Sequence, residues 1–111
     1  MAETRLLRHM VLFAFKEGTP EEKEADLVRA FRALPEKIPG ILDFEWGTNV
    51  SPEKLAQGFS HCFLLSFRSE EERDRYLSHP AHRTFSAAVR PYLADVLVLD
   101  YRTDPAGSPS R

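Results

Sequence analysis

The apolar positions change period along the chain, and each change marks an element. Residues 8–16, RHMVLFAFK, are short, apolar and bounded by Glu17-Gly18, which predicts a buried strand. Thr19, Pro20 and Glu22 then offer an N-cap, a first helical residue and a capping box. Leu27, Val28, Phe31 and Leu34 recur at helical spacing on one face, and Pro35 is expected to stop that helix. Ile38-Pro39-Gly40 predicts a turn. Residues 41–50 alternate, with Leu42, Phe44, Trp46 and Thr48 on one face of a second strand. Residues 49–58 form a polar loop and 59–67 a third strand. Ser69 to Glu72 repeats the capping chemistry and opens a second helix running to about Ser78. Pro80 disfavours helix at His79 but suits the start of another helix, in which Ala81, Phe85, Ala88 and Val89 share a face. Pro91 ends it, and residues 94–101 form the last strand.

Strand, helix, strand, then strand, helix, strand predicts an α+β, ferredoxin-like βαββαβ fold. The halves echo each other: His9 opens H-x-V-x-F-x-F and His61 opens H-x-F-x-L-x-F. The first and third strands are expected to be parallel central neighbours. His9 and His61 would then share one face and one register. That face packs on helices. The opposite face carries Met10, Leu12, Ala14, Cys62 and Leu64, and leaving it bare would expose an apolar patch. A homodimer with two sheets face to face is the expected remedy.

Composition narrows the partners. The formal net charge of -2 over 111 residues shows no basic excess for nucleic acid. Apolar runs are too short to span a bilayer, and residues 1–8 lack the apolar core of a signal peptide. The single Cys62 permits no intrachain disulfide and suits the cytoplasm. One domain, residues 1–102, is expected, with 103–111 (TDPAGSPSR) as a disordered tail.

Histidine supplies the candidate chemistry. Seven strand residues from His61 rise roughly 23 Å, and ten helical residues to His79 return about 15 Å. The helix end, bearing Tyr76, His79 and His82, is thus expected to return toward His9 and His61. Three readings stay open. Imidazoles near neutrality can serve as acids or bases, with the Tyr hydroxyl polarising a carbonyl. Two or three histidines can ligate zinc or nickel, although no Cys or inward carboxylate completes a set. Or the histidines are structural, His9 opening a strand and His79 preceding a proline. Residues 49–53 look like a capped turn, Trp46 like core or interface, and Cys62 like a small interface hydrophobe. Phosphate loops, nucleophile elbows and zinc-protease motifs are absent from the sequence.

The segments R-H-M-V-L-F from Arg8, I-P-G-I from Ile38, F-E-W-G from Phe44, N-V-S-P-E from Asn49 and G-F-S-H from Gly58 resemble the stress-responsive A/B barrel domain family. The most specific match is Y-L-S-H-P-A-H, from Tyr76 to His82, with Phe85 beyond it. The resemblance covers about residues 8–100. It implies a dimeric α+β barrel, a pocket between sheet and helices for a small organic molecule, and no cofactor or metal. Some members of the family are stress-induced plant proteins. One is a polyketide cyclase that performs an intramolecular aldol condensation. By that resemblance the catalytic pair falls on His82, as base, and Tyr76, as oxyanion donor. Further pocket contacts fall on His9, His61 and Phe85. A pocket tyrosine of the first helix is replaced here by Phe31. Two other function classes remain: a non-catalytic binding or stress protein, and a monooxygenase-like member of the wider barrel group.

Overall fold

The computed structural model describes residues 5–103. Its elements are β1 (Leu7–Phe15), α1 (Glu21–Arg32), a one-turn α2 (Leu34–Lys37), β2 (Asp43–Thr48), β3 (His61–Phe67), α3 (Glu70–Ser78), α4 (Pro80–Val89), a 3-10 turn (Arg90–Tyr92) and β4 (Leu93–Arg102). The sheet order is β2-β3-β1-β4, and every neighbouring pair is antiparallel. This is the expected α+β, ferredoxin-like arrangement. No helix among the described residues is long and apolar enough to cross a membrane. Thr103 closes the described chain by bonding its backbone N–H to the Leu6 carbonyl. The rest of the expected tail, 104–111, and residues 1–4 lie outside the described residues.

The parallel pairing expected of the two central strands is wrong. β1 and β3 are antiparallel, with His9 opposite Leu65 and His61 opposite Phe13. The β2–β3 connection reverses the chain, and the α1 crossover keeps β1 parallel to β2, so β3 must run against both. His9 and His61 therefore share the helix-facing side of the sheet but stand at opposite ends of it.

Local chemistry explains most element ends. The Ser69 hydroxyl accepts from the Glu72 N–H at 3.2 Å and caps α3 as expected. Thr19 does not cap α1. Its hydroxyl donates to the Lys16 carbonyl at 2.7 Å, Pro20 takes the cap position, and no side chain caps there. The helix start is instead favoured by Glu21, Glu22 and Glu24 in the first turn, with Arg29 and Arg32 in the last. Pro35 does not end helical structure either. It sits in the first turn of α2, where its missing N–H costs nothing. Gly40, at φ +100°, turns the chain into β2 against α3, and a Cβ there would lie 2.6 Å from Glu72 Oε1.

The core fills the space between sheet and helices. Phe13, Phe63 and Leu65 from the sheet meet Leu27, Val28 and Phe31 of α1, with Phe85 and Val89 of α4. On the other face Met10, Leu12, Cys62 and Leu64 are half-buried, and Leu97, Leu99 and Tyr101 of β4 are exposed. Burying the apolar residues of α1 and α4 thus covers one side of the sheet only.

Candidate functional site

A cavity of about 670 Å³ opens between α3, α4 and the β1–β4 side of the sheet. Phe13, Phe31, Phe85 and Val89 form its apolar depth. His9, Arg73, Tyr76, His82 and Asp100 form its polar wall. That volume falls in the range usual for small-molecule pockets.

Three of the five sequence candidates for the cluster come together. The Tyr76 ring lies 5.7 Å from His9 and 4.6 Å from His82, centroid to centroid. The α3 helix is too short to carry Tyr76 the full length of β3. Tyr76 stays beside Phe67, 5.4 Å away, at the end of β3 that antiparallel pairing places next to His9. α4 restarts at Pro80 and brings His82 to the same end.

His61 and His79 do not join them. His61 stacks on Trp46, with ring planes 3° apart, and contacts Phe15 edge-on. It lines a separate cavity of about 520 Å³, with Leu55, Phe59 and Cys62. His79 caps α4, its Nδ1 accepting from the Ala81 N–H at 3.0 Å, which is the structural role open to it in the sequence. Phe31 and Phe85 lie 4.7 Å apart and pave the floor of the larger cavity.

Hydrogen bonds set the tautomers. His82 Nδ1 donates to the Leu77 carbonyl at 3.1 Å, since a carbonyl can only accept. Its Nε2 lone pair remains for a ligand. Burial pushes the His82 imidazole below its ordinary range, partly offset by the Leu77 bond, and nearby His9 lowers it further. Burial thus favours the neutral imidazole over the imidazolium. Burial also pushes the Tyr76 hydroxyl up, which keeps it an O–H donor. Tyr76 is 1% exposed, yet its hydroxyl makes no hydrogen bond among the described residues, and none of their fully enclosed polar side-chain atoms is left unpaired. The hydroxyl therefore opens on the cavity.

Two members of the polar wall escaped the sequence reading. His9 Nδ1 donates to Asp100 Oδ1 at 2.7 Å, and Arg73 Nη1 donates to Asp100 Oδ2 at 2.6 Å. Asp100 lies directly opposite His9 across the β1–β4 pairing. One signal was available: a lone carboxylate at an inward-facing position of the apolar run VLVLDY. Among the described residues no three His, Cys, Asp or Glu side chains assemble into a metal-ligand set.

The lowered imidazoles make stability depend on pH. Burial holds His82 and, despite Glu24 nearby, His61 below the ordinary value of 6.5. Each binds fewer protons folded than unfolded, so its stabilisation is complete above about 6.5 and is lost as pH falls toward the folded value. The thermal midpoint is expected to drop between about pH 7.5 and 5, and less steeply in His82→Gln. Identical slopes in the two proteins would show that His82 takes no part.

A one-sided ferredoxin-like sheet, with a His–Tyr–His wall over an aromatic floor, defines a small α+β barrel-type protein. The chain belongs to the Stress responsive A/B Barrel Domain family, whose model matches residues 7–103. It is 38% identical over 96 residues to the stress-response A/B barrel domain-containing protein HS1 of Arabidopsis thaliana, covering 86% of this chain and 88% of that protein. It is 27% identical over 95 residues to olivetolic acid cyclase of Cannabis sativa, covering 86% and 94%. The structure of hydroxynitrile lyase from Passiflora edulis superposes with a TM-score of 0.88 at 22% identity, covering 96% and 100%, a likeness of fold. Further solved neighbours at 21–24% identity are described as dimeric ferredoxin-like proteins.

Proposed function

We propose that the 670 Å³ cavity binds a small organic molecule with a carbonyl or phenolic head and an apolar body. His82 and Tyr76 are the polar contacts for that head. His82 Nε2 takes a proton alpha to the carbonyl, and the Tyr76 hydroxyl donates a hydrogen bond to the oxygen as negative charge develops there. One observation carries this reading. Both groups are held by the protein at their other atoms, and both leave their reactive atom unpaired on the same cavity. One relative bears the name of a cyclase and one structural neighbour that of a lyase, which is in keeping with such chemistry. Phe31 makes the floor apolar and favours an aryl or alkyl body over a polar one. The reaction needs neither cofactor nor metal.

The test is a thermal-shift screen of aryl ketones, phenols, aromatic acids and acyl-thioester analogues on wild type and His82→Ala. A ligand at a hundred times its Kd stabilises by about 2.7 kcal/mol, a shift of roughly 10 °C for a domain of this size. The shift is expected in wild type and lost in His82→Ala. Equal shifts in both proteins, or none in either, would remove the reading. For a ketone that binds, deuterium exchange at its alpha carbon separates proton abstraction from mere binding.

A second copy of the chain covers the open sheet face, on which Met10, Leu12, Leu64, Leu97 and Leu99 form an apolar surface. Sedimentation should report twice the 12.7 kDa chain mass. A 12.7 kDa species at micromolar concentration would count against the homodimer. A reducing cytoplasm suits the free Cys62 thiol.

A further inference from the structure

We propose that Asp100 and Arg73 are positioning residues that make His9 a second proton-handling group of the cavity, facing His82 across Tyr76. Three observations converge. The His9 side chain is 5% exposed and gives its Nδ1 proton to Asp100. Its remaining nitrogen, Nε2, has no partner among the described residues, and none of their enclosed polar side-chain atoms is left unpaired, so Nε2 reaches the cavity that His9 lines. The second oxygen of Asp100 is held by Arg73, which also donates from Nε to Asp74 at 3.1 Å.

The chain of contacts runs Arg73, Asp100, His9. A carboxylate bonded to imidazole Nδ1–H fixes the tautomer and steadies the imidazolium formed when Nε2 takes a proton. Arg73 prevents Asp100 from swinging out to solvent, because both carboxylate oxygens are engaged. His82 differs, since its Nδ1 meets only a neutral carbonyl. The two imidazoles thus stand in contrasting environments, a carboxylate beside one and a peptide dipole beside the other. That contrast sets a fixed counter-charge beside an imidazolium formed at His9 and none beside one formed at His82.

The step rests on the carbonyl-ligand reading above. His82 Nε2 accepts the alpha proton as the C–H bond breaks. The C–H electron pair becomes the carbon–carbon double bond of the enol. When His9 carries a second proton, its Nε2–H delivers that proton to the carbonyl oxygen while Tyr76 hydrogen-bonds the same oxygen. One proton leaves His9 and one arrives on His82, so the total on the protein is unchanged. Further turnover needs only proton exchange with water.

The positioning can be tested on the unliganded protein, independently of any ligand. Histidine-selective 15N spectra report which ring nitrogen carries the proton. In wild type, neutral His9 is expected on the Nδ1–H tautomer by about tenfold or more, as a charge-assisted bond implies. Asp100→Leu should abolish that preference and Arg73→Met should weaken it, with Arg73→Lys intermediate. The Nδ1–H signature of His82, set by the Leu77 carbonyl, serves as the internal sign of an intact fold. A wild-type His9 protonated at Nε2, or an unchanged His9 in folded Asp100→Leu, would overturn the proposal. Should Asp100→Leu not fold, Arg73→Met decides by the same signal, and an unchanged His9 there overturns it. A failed ligand screen would leave these spectra as they are, so the two ideas fail separately.

Discussion

Phe63→Ala is expected to cost about 3–5 kcal/mol, the usual loss for a large aromatic truncated in a packed core. Phe63 is 0% exposed and sits at the centre of the sheet's inner face. Its ring lies 4.4 Å from Phe31 and 5.1 Å from Phe13, centroid to centroid, with Phe44, Trp46 and His61 around it. α1 packs onto the sheet through this contact, so the cavity left by alanine has little chance to collapse. A domain of this size has only about 5–15 kcal/mol in total. The thermal midpoint should fall by roughly 15 °C or more. Trp46→Ala, at a residue 39% exposed, should cost much less. Equal losses at the two positions would show that α1 is not anchored through Phe63.

Tyr76→Phe is expected to separate function from folding. The substitution removes one oxygen and keeps the ring contacts to His9, Phe67 and His82. Because the hydroxyl has no hydrogen-bond partner among the described residues, stability should stay within about 0.5 kcal/mol of wild type. Loss of an oxyanion donor, by contrast, slows such chemistry by about 10²–10³. The measurement pairs thermal unfolding with alpha-proton exchange of a ketone found in the screen. A variant destabilised by well over about 1 kcal/mol would reveal a structural partner for the hydroxyl. A variant that exchanges at the wild-type rate would place the oxyanion elsewhere.

The fold was largely legible because its signals are local. A short apolar run marked β1, alternation marked β2, helical spacing marked α1 and α4, and Ser69 announced the start of α3. Thr19 misled because a hydroxyl can either accept from a first-turn N–H or donate to a nearby carbonyl, and here it donates to Lys16. Pro35 misled because a proline that ends one helix is also suited to begin the next. The direction of β3 was misjudged for a deeper reason. Alternation is unchanged when a strand is reversed, so it tells which face a residue occupies and nothing about which end. His61 was therefore placed on the correct face and at the wrong end.

The site divides the same way. His82 and Tyr76 were found through a contiguous segment, Y-L-S-H-P-A-H, whose spacing already carries them to one helix junction. Asp100 and Arg73 were not, since each is ordinary in its own neighbourhood, an acid near the end of a strand and a base on a helix. Their meaning arises from pairing residues 91 apart for His9–Asp100 and 27 apart for Arg73–Asp100.

By itself the sequence determined the elements, their inward faces, the surplus apolar face of the sheet and the residue types able to handle a proton. These follow from the 3.6- and 2-residue periods and from side-chain chemistry, which need no distant partner. Only the tertiary structure decided which end of the sheet holds the cavity, which histidines line it and which carboxylate steadies one of them. Strand direction and register are set by long-range pairing and by the packing of whole faces, and those fix position along a strand where periodicity cannot.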